Sequence, residues 1–395
     1  MITLGLIGCG ARGFVFADYI TRRQDCRLAA VCDTDRQRVD VFRQLAQVQC
    51  AAYYDYRDLL RHPALDAVII ATPDYAQAEI LCAAVQRGIA TLCEKPIVRT
   101  LAELNEVQQI IDKYRDVVCD TPLVLRQHRL YSRVKELVPR PGSMQFAVIH
   151  DSVSGGFYFR RWHRLHVKCG GIVLHEGIHS LNIAMQVMKS RPRRVSAMGT
   201  LQVYTPRIGA ADRCLHCSLA PECPEYFDYF ADRLHPLYET PSMQEGFPRD
   251  LCVFNSTKDI PDKCVASIEF DNGSLMTYTL CLFSKRRTRE MEFISDQGSI
   301  WSDEEKGHIL SWQETGTPPV EEFVETAPSR FGGADEMAFD EFLRRVMSGK
   351  PDTPGFQLAL DTAALALAIE TSIRSEANVW IEYSRSRTYA FSKTK

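Results

Sequence analysis

Three groups of residues in this chain have types and spacings that could do chemistry. Gly8-Cys9-Gly10-Ala11-Arg12-Gly13 spells G-x-G-x-x-G, directly after the apolar run Ile2–Ile7 and at the start of a helical pattern. Glycines at that spacing permit a tight turn and bring backbone N–H groups close to a pyrophosphate seated at a helix N-terminus. Asp33 ends the second apolar run, 20 residues after Gly13, where an acid accepts hydrogen bonds from an adenosine ribose. The expectation is a dinucleotide site built from Gly8, Gly10, Ala11, Arg12, Gly13 and Asp33. A carboxylate at position 33 repels a 2′-phosphate, which favours NAD over NADP. Arg36 lies close enough in sequence to keep NADP open.

The second group is His175-Glu176-Gly177-Ile178-His179, which spells H-E-x-x-H. On a helix the two histidines share a face and could bind one metal, with Glu176 as the base. Gly177 weakens that helix, and no third ligand follows within the next turns. The third group is Cys214-Leu215-His216-Cys217 followed by Cys223, a C-x2-C-x5-C pattern. Three thiolates so spaced could hold a structural zinc, with a fourth ligand from His216, His235, Cys252 or Cys264. The plainer reading is three unpaired loop thiols. A long irregular loop in a reducing compartment favours the zinc, because a disulfide staple is not available there.

The elements that must position these residues follow from the apolar pattern. Continuous apolar strands at Ile2–Ile7, Leu28–Cys32, Ala67–Ala71, Ala90–Cys93 and from Val117 alternate with helical stretches, which implies a parallel sheet covered on both faces. After about residue 123 the pattern changes. A long strand is expected over Met144–Val153 and an amphipathic helix over Gly171–Met188. Strands at Val265–Phe270 and Leu275–Leu282 flank the Asp271-Asn272-Gly273 hairpin signal. Two helices, about Asp335–Met347 and Phe356–Arg374, precede a last strand near Val379. The expected fold class is α/β: an N-terminal Rossmann domain over 1–122, then an α/β domain over 123–395 with a large, mainly antiparallel open sheet. The latter carries an aperiodic, Cys-rich insertion near 206–250.

Composition narrows the function. At 395 residues the chain exceeds the ~250–300 at which one core stops growing, so two domains are expected. A net charge of −3 gives no reason to expect nucleic acid or a membrane surface as partner. No apolar run in the sequence approaches the ~20 residues of a bilayer span. Fourteen cysteines and an N-terminus that opens as a strand, without a basic leader, point to a cytoplasmic protein.

With that start, Ala71-Thr72-Pro73-Asp74 after one strand and Glu94-Lys95-Pro96 after the next, the chain resembles the glucose–fructose oxidoreductase, inositol dehydrogenase and rhizopine catabolism (Gfo/Idh/MocA) family. Gly170-Gly171 leading into Gly177-Ile178-His179, and Gly332-Gly333-Ala334-Asp335, extend the likeness over nearly the whole chain. The resemblance implies that Thr72, Pro73, Glu94 and Lys95 join the cofactor site. It also implies that Lys95 and His179 face the nicotinamide ring. Oxidising an alcohol requires removal of the hydroxyl proton, which a histidine can accept near neutrality, while a lysine stabilises the developing alkoxide. His175 stands where the family commonly has aspartate, Asn182 where it often has another, and Gln77 where it often has histidine. The change at His175 makes it a third catalytic candidate and leaves the substrate's hydroxyl pattern open. Family members with a similar cysteine cluster carry a Cys-Val-aromatic segment, here Cys252-Val253-Phe254, which makes Cys252 the fourth zinc ligand. The implied activity is NAD(P)-dependent oxidation or reduction of a sugar, polyol or related carbohydrate-like small molecule, in a homo-oligomer. Two alternatives stay open: a redox-neutral NAD-dependent glycosidase or lyase, and a non-catalytic NAD-binding regulator.

Overall fold

The computed structural model describes residues 1–139, 144–239, 247–313, 316–325, 330–384 and 387–394. Two sheets organise it. The first is built from β1 (Ile2–Ile7), β2 (Cys26–Cys32), β3 (Ala51–Tyr53), β4 (Ala67–Ile70), β5 (Ala90–Cys93) and β6 (Cys119–Asp120). Its order is β3-β2-β1-β4-β5-β6 and every pairing is parallel. That is the strand order of dinucleotide-binding doubly wound folds, whose ligands lie beyond the carboxyl ends of the strands where the order reverses. β1 and β4, the central pair, are buried at every position, as strands covered on both faces must be.

The second sheet has ten strands: β7 (Phe146–Ser154), β8 (Pro192–Thr200), β9 (Lys263–Phe270), β10 (Leu275–Cys281), β11 (Phe283–Ser295), β12 (Gly298–Asp303), β13 (His308–Trp312), β14 (Val320–Phe323), β15 (Asn378–Tyr383) and β16 (Tyr389–Thr394). Its order is β14-β13-β12-β11-β7-β10-β9-β8-β15-β16, antiparallel throughout except for the parallel pair β7–β10. Here burial alternates, as in β9, where one face meets the core and the other does not. Gly273 sits at φ +84° in the β9–β10 turn, the conformation its hairpin signal demands.

Two long helices lie against this sheet. Thr353–Ser375 starts with the Asp352 side chain accepting from the Gly355 amide at 2.9 Å. By length and apolarity alone it would suit a bilayer span, although Asp361 and Glu370 interrupt its apolar run. In the fold, 78% of its most apolar window is buried inside the protein. The stretch expected as one amphipathic helix over Gly171–Met188 is a π-helical turn, Val173–Gly177, running into the α-helix Ile178–Met188. It is not amphipathic, because ten of the eleven residues of Ile178–Met188 are buried. A third helix, Ala334–Ser348, turns Phe339, Phe342 and Leu343 onto the helix Ala11–Thr21 behind the glycine loop, with Phe339 stacked on Tyr19 at 6.1 Å. Burying each such side chain contributes roughly 1.5–3 kcal/mol. The late part of the chain is thereby fixed against the first βα unit.

Candidate active site

One cleft of about 460 Å³ is lined by the glycine loop at one end and by Lys95, His175 and His179 at the other. The loop is built for close backbone approach. Gly8 has φ +103°, and a Cβ there would lie 2.5 Å from the Ala71 carbonyl oxygen. A Cβ on Gly13 would run into the Gly8 carbonyl, so this third glycine serves helix–strand packing and does not line the cleft. Asp33 accepts from the Cys9 amide at 2.9 Å and the Asp35 amide at 3.1 Å. Its charge is met by Arg38 at 3.1 Å. Arg36, the arginine singled out in the sequence, stacks on Tyr54 at 3.9 Å.

The loop amide at the helix N-terminus is already engaged. The Ala11 N–H donates to the phenol oxygen of Tyr238 at 2.7 Å, and Arg38 donates to the Leu237 carbonyl at 3.2 Å. Tyr238 is buried, with the guanidinium groups of Arg161 and Arg249 at 4.4 and 4.7 Å from its ring centre. Burial alone would raise this phenol, but Arg161, Arg249 and the Ala11 amide hold it below its ordinary value. The position therefore favours an anionic oxygen, as expected where a diphosphate sits. The residues present fit a dinucleotide, provided that Tyr238 leaves the Ala11 amide.

Arg12 and Glu94 line the cleft, but their charges are committed to each other and to the late helix. Arg12 donates to Glu94 at 2.6 Å and to both oxygens of Asp335 at 2.7 and 2.9 Å. They tie the glycine loop, the Glu-Lys-Pro segment and the helix Ala334–Ser348 into one unit. Thr72 and Pro73 also line the cleft, and the Thr72 carbonyl accepts from Gln77 at 3.0 Å.

At the far end Lys95 donates its Nζ hydrogen to the His175 carbonyl at 2.8 Å. Burial lowers the Lys95 ammonium, while Glu176, Glu94 and Asp74 pull it back up. His179 is buried, and burial, Lys95 and Arg289 all press its imidazole well below the ordinary histidine value. It is therefore neutral near pH 7 and able to take a proton. His175 Nδ1 lies 2.9 Å from Asp74 Oδ2, and the other oxygen of Asp74 accepts from the Trp162 indole at 3.0 Å. The His163 ring packs on His175 at 4.2 Å, and the Tyr158 ring packs edge-on to it at 5.4 Å.

The segment that carries both histidines is held by the Gly170-Gly171 pair and by two groups, Glu370 and Arg289, that the sequence did not single out. Gly170 and Gly171 sit at φ +75° and +112°. Glu370 accepts from the Val173 amide at 2.7 Å, and a Cβ on Gly171 would run into its carboxyl. Burial pushes Glu370 up to about 7. Arg289, buried beneath the site, donates to Asp151, Glu176 and Glu304 at 3.0, 2.9 and 3.0 Å.

Sequence and structure meet known proteins at this point. Residues 2–125 match the family model described as "Oxidoreductase family, NAD-binding Rossmann fold", and residues 144–382 match "Oxidoreductase family, C-terminal alpha/beta domain". The chain belongs to the Gfo/Idh/MocA family. YteT of Bacillus subtilis is 23% identical over 333 residues, 76% of each chain. A myo-inositol 2-dehydrogenase of Thermotoga maritima is 25% identical over 205 residues, 51% of this chain and 59% of the relative. A levoglucosan dehydrogenase, solved with NADH and L-sorbose, superposes with TM-score 0.74 at 15% identity, covering 96% of this chain and 98% of that one.

As a Gfo/Idh/MocA chain, this one departs from the zinc-protease reading of its His-Glu-x-x-His segment. Glu176 is held by Arg289 and by the Tyr158 hydroxyl, and is pressed below its ordinary value, so it is not poised as a base. The π turn ends between the two histidines, and His175 Nδ1 pairs with Asp74. Asn182 lies away from the cleft, where it accepts from Arg126 at 2.7 Å and donates to Thr362 at 2.8 Å. Its exchange for the family's aspartate therefore bears on packing. The insertion is irregular, with three short 3₁₀ turns, and its residues 240–246 lie outside the described residues. Cys214, Cys217, Cys223 and Cys252 do line one small cavity together. Among the described residues, however, the one group of three ligand atoms all within 4.8 Å of one another is Asp74, His163 and His175, not the sulfurs.

Proposed function

We propose that this protein is an NAD(P)-dependent dehydrogenase or reductase of a sugar, polyol or related hydroxylated small molecule. One observation carries the reading: the glycine loop and the pair Lys95 and His179 line a single continuous cleft. Gly8, Gly10, Ala11, Asp33 and Thr72 would hold the dinucleotide, which when bound supplies the hydride acceptor. Lys95 holds the reacting oxygen and stabilises the charge that develops on it. His179, neutral in its buried setting, accepts the hydroxyl proton at a ring nitrogen. Asp74 fixes His175 beside them, where the imidazole can bond a second hydroxyl. Asp33 favours NAD, while Arg38 against it leaves NADP a charge partner. The test is NADH or NADPH formation with a panel of inositols, aldoses and sugar acids. A turnover that Lys95→Met removes supports the proposal, and none with any member of the panel counts against it.

A second reading has its own support. Tyr238 and Leu237 lie over the cofactor end, which favours slow exchange of the dinucleotide and so a cycle that returns the hydride without net redox change. Product formed without accumulated NADH would select it. A zinc brace held by Cys214, Cys217, Cys223 and Cys252 is a separate proposal, resting on their shared cavity and tested by the metal content of the purified protein.

A further inference from the structure

The substrate end of the cleft contains a cluster that proton transfer by Lys95 and His179 does not use. Asp74, His163 and His175 each offer one ligand atom, and all three atoms lie within 4.8 Å of one another. They come from three separate places: the start of the helix Asp74–Gln86, the turn Trp162–Arg164 and the π turn Val173–Gly177. Asp74 and His175 are buried, and all three residues line the same cleft. The Nδ1 atom of His163 is shut off from solvent and has no hydrogen-bond partner among the described residues. A buried polar atom without a partner costs about 1–3 kcal/mol, so an imidazole left in that state, with its ring packed on His175 at 4.2 Å, needs an explanation.

We infer that Asp74, His163 and His175 form a binding site for a divalent transition-metal ion, of the zinc, cobalt or manganese class, at the substrate end of the cleft. Two imidazoles and one carboxylate are the donor set such ions take, and harder ions such as calcium prefer all-oxygen sites. The Nδ1–Oδ2 separation of 2.9 Å between His175 and Asp74 is close to the ~3 Å edge between neighbouring ligands bonded at about 2.0–2.1 Å. His175 need only shift its proton to Nε2 to free the Nδ1 lone pair, a change of tautomer without change of charge. Trp162 Nε1, donating to the second oxygen of Asp74 at 3.0 Å, already supplies the outer hydrogen bond that orients a ligating carboxylate. Three protein ligands leave coordination positions open, and in this cleft they face the space assigned to substrate. The ion would hold two neighbouring hydroxyls, or a hydroxyl and a carboxylate, of a polyhydroxylated substrate.

The inference rests on reading the cleft as a substrate site, so metal and dinucleotide binding are measured on the same samples. Chelator-stripped protein is titrated with cobalt(II), following its visible absorption, and then with zinc to displace it. The expected result is one cobalt per chain. His163→Ala and Asp74→Asn should each weaken binding more than about tenfold, a loss typical even of groups that merely support a ligand. NADH binding is expected to stay intact in both variants, which also shows that they fold. Absence of stoichiometric cobalt binding in the wild type overturns the inference. So does binding unchanged in both variants and lost in Cys214→Ser, which assigns the ion to the cysteines. Either result with NADH binding intact leaves the dehydrogenase reading standing, whereas loss of NADH binding by the wild type removes that reading by itself.

Discussion

The two ends of the cleft are made in opposite ways. The cofactor end is local: Gly8, Gly10 and Ala11 lie within four residues, and their contribution is backbone shape and amides. The substrate end is assembled from Asp74, Lys95, Tyr158, His163, His175 and His179, and is supported from below by Arg289 and Glu370. A site made of backbone depends on what is absent, namely Cβ atoms. A site made of dispersed side chains depends on buried charges that hold its parts in register. The first should break on adding a methyl group, and the second on removing a charge or an imidazole far from the loop.

The sharpest test of that contrast is at Lys95. Lys95→Met is expected to lower turnover about a thousandfold, as when one preorganised charge at a developing oxyanion is lost, with NADH affinity unchanged; steady-state kinetics and a binding titration measure the two separately. Equal losses in both would show that the two ends are not separable. Next in size, Arg289→Met leaves Asp151, Glu176 and Glu304 without their common cation. Loss of one partner from a buried ion pair costs about 3–5 kcal/mol. A marked fall in melting temperature is expected, and an unchanged melt would mean that the network bears little on the fold.

Glu370 gives a pH test. Its ordinary value is 4.5 and burial raises it to about 7, so the folded state favours the protonated form. The stabilisation is fully present below about 4.5 and is lost as pH rises through about 7, a span of about 3 kcal/mol. Denaturation across that window should show stability falling with pH, and Glu370→Gln should flatten the fall. Activity should instead follow His179 and Lys95. With His179 well below its ordinary 6.5, the acid limb of the rate profile is expected below that value. With Lys95 lowered from 10.5, the alkaline limb is expected to begin earlier than for a free lysine. The smallest effect belongs to the cofactor end. Tyr238→Ala vacates the Ala11 amide and is expected to tighten NADH binding by about tenfold, the equivalent of one hydrogen bond of about 1.4 kcal/mol. Weaker binding would mean that the phenol supports the dinucleotide instead of competing with it.

The same contrast explains what the sequence could and could not tell. Glycine spacing after a strand is a local signal, so the loop, Asp33 and the parallel sheet were readable, as was the large second sheet from its long strands and the Asn272-Gly273 hairpin signal. Lys95 and His179 were readable only through their motifs. Arg38 at Asp33, Tyr238 at the Ala11 amide and the Asp74–His163–His175 cluster were not, because each joins residues that only the tertiary fold brings together. Arg36 was the arginine singled out because it is nearer in sequence to Asp33, but the backbone points Arg38 at the carboxylate. The π turn was invisible for a related reason. The H-E-x-x-H spacing presumes one regular helix, and Glu370, nearly 200 residues on, caps a turn that is not one.

The most direct test of the central claim is a titration of the wild-type protein and Gly8→Ala with NADH, followed by the fluorescence of the nicotinamide. The account predicts one NADH bound per chain in the wild type and no saturable binding once a Cβ is placed against the Ala71 carbonyl. Absence of saturation in the wild type, or equal binding by both proteins, would contradict it.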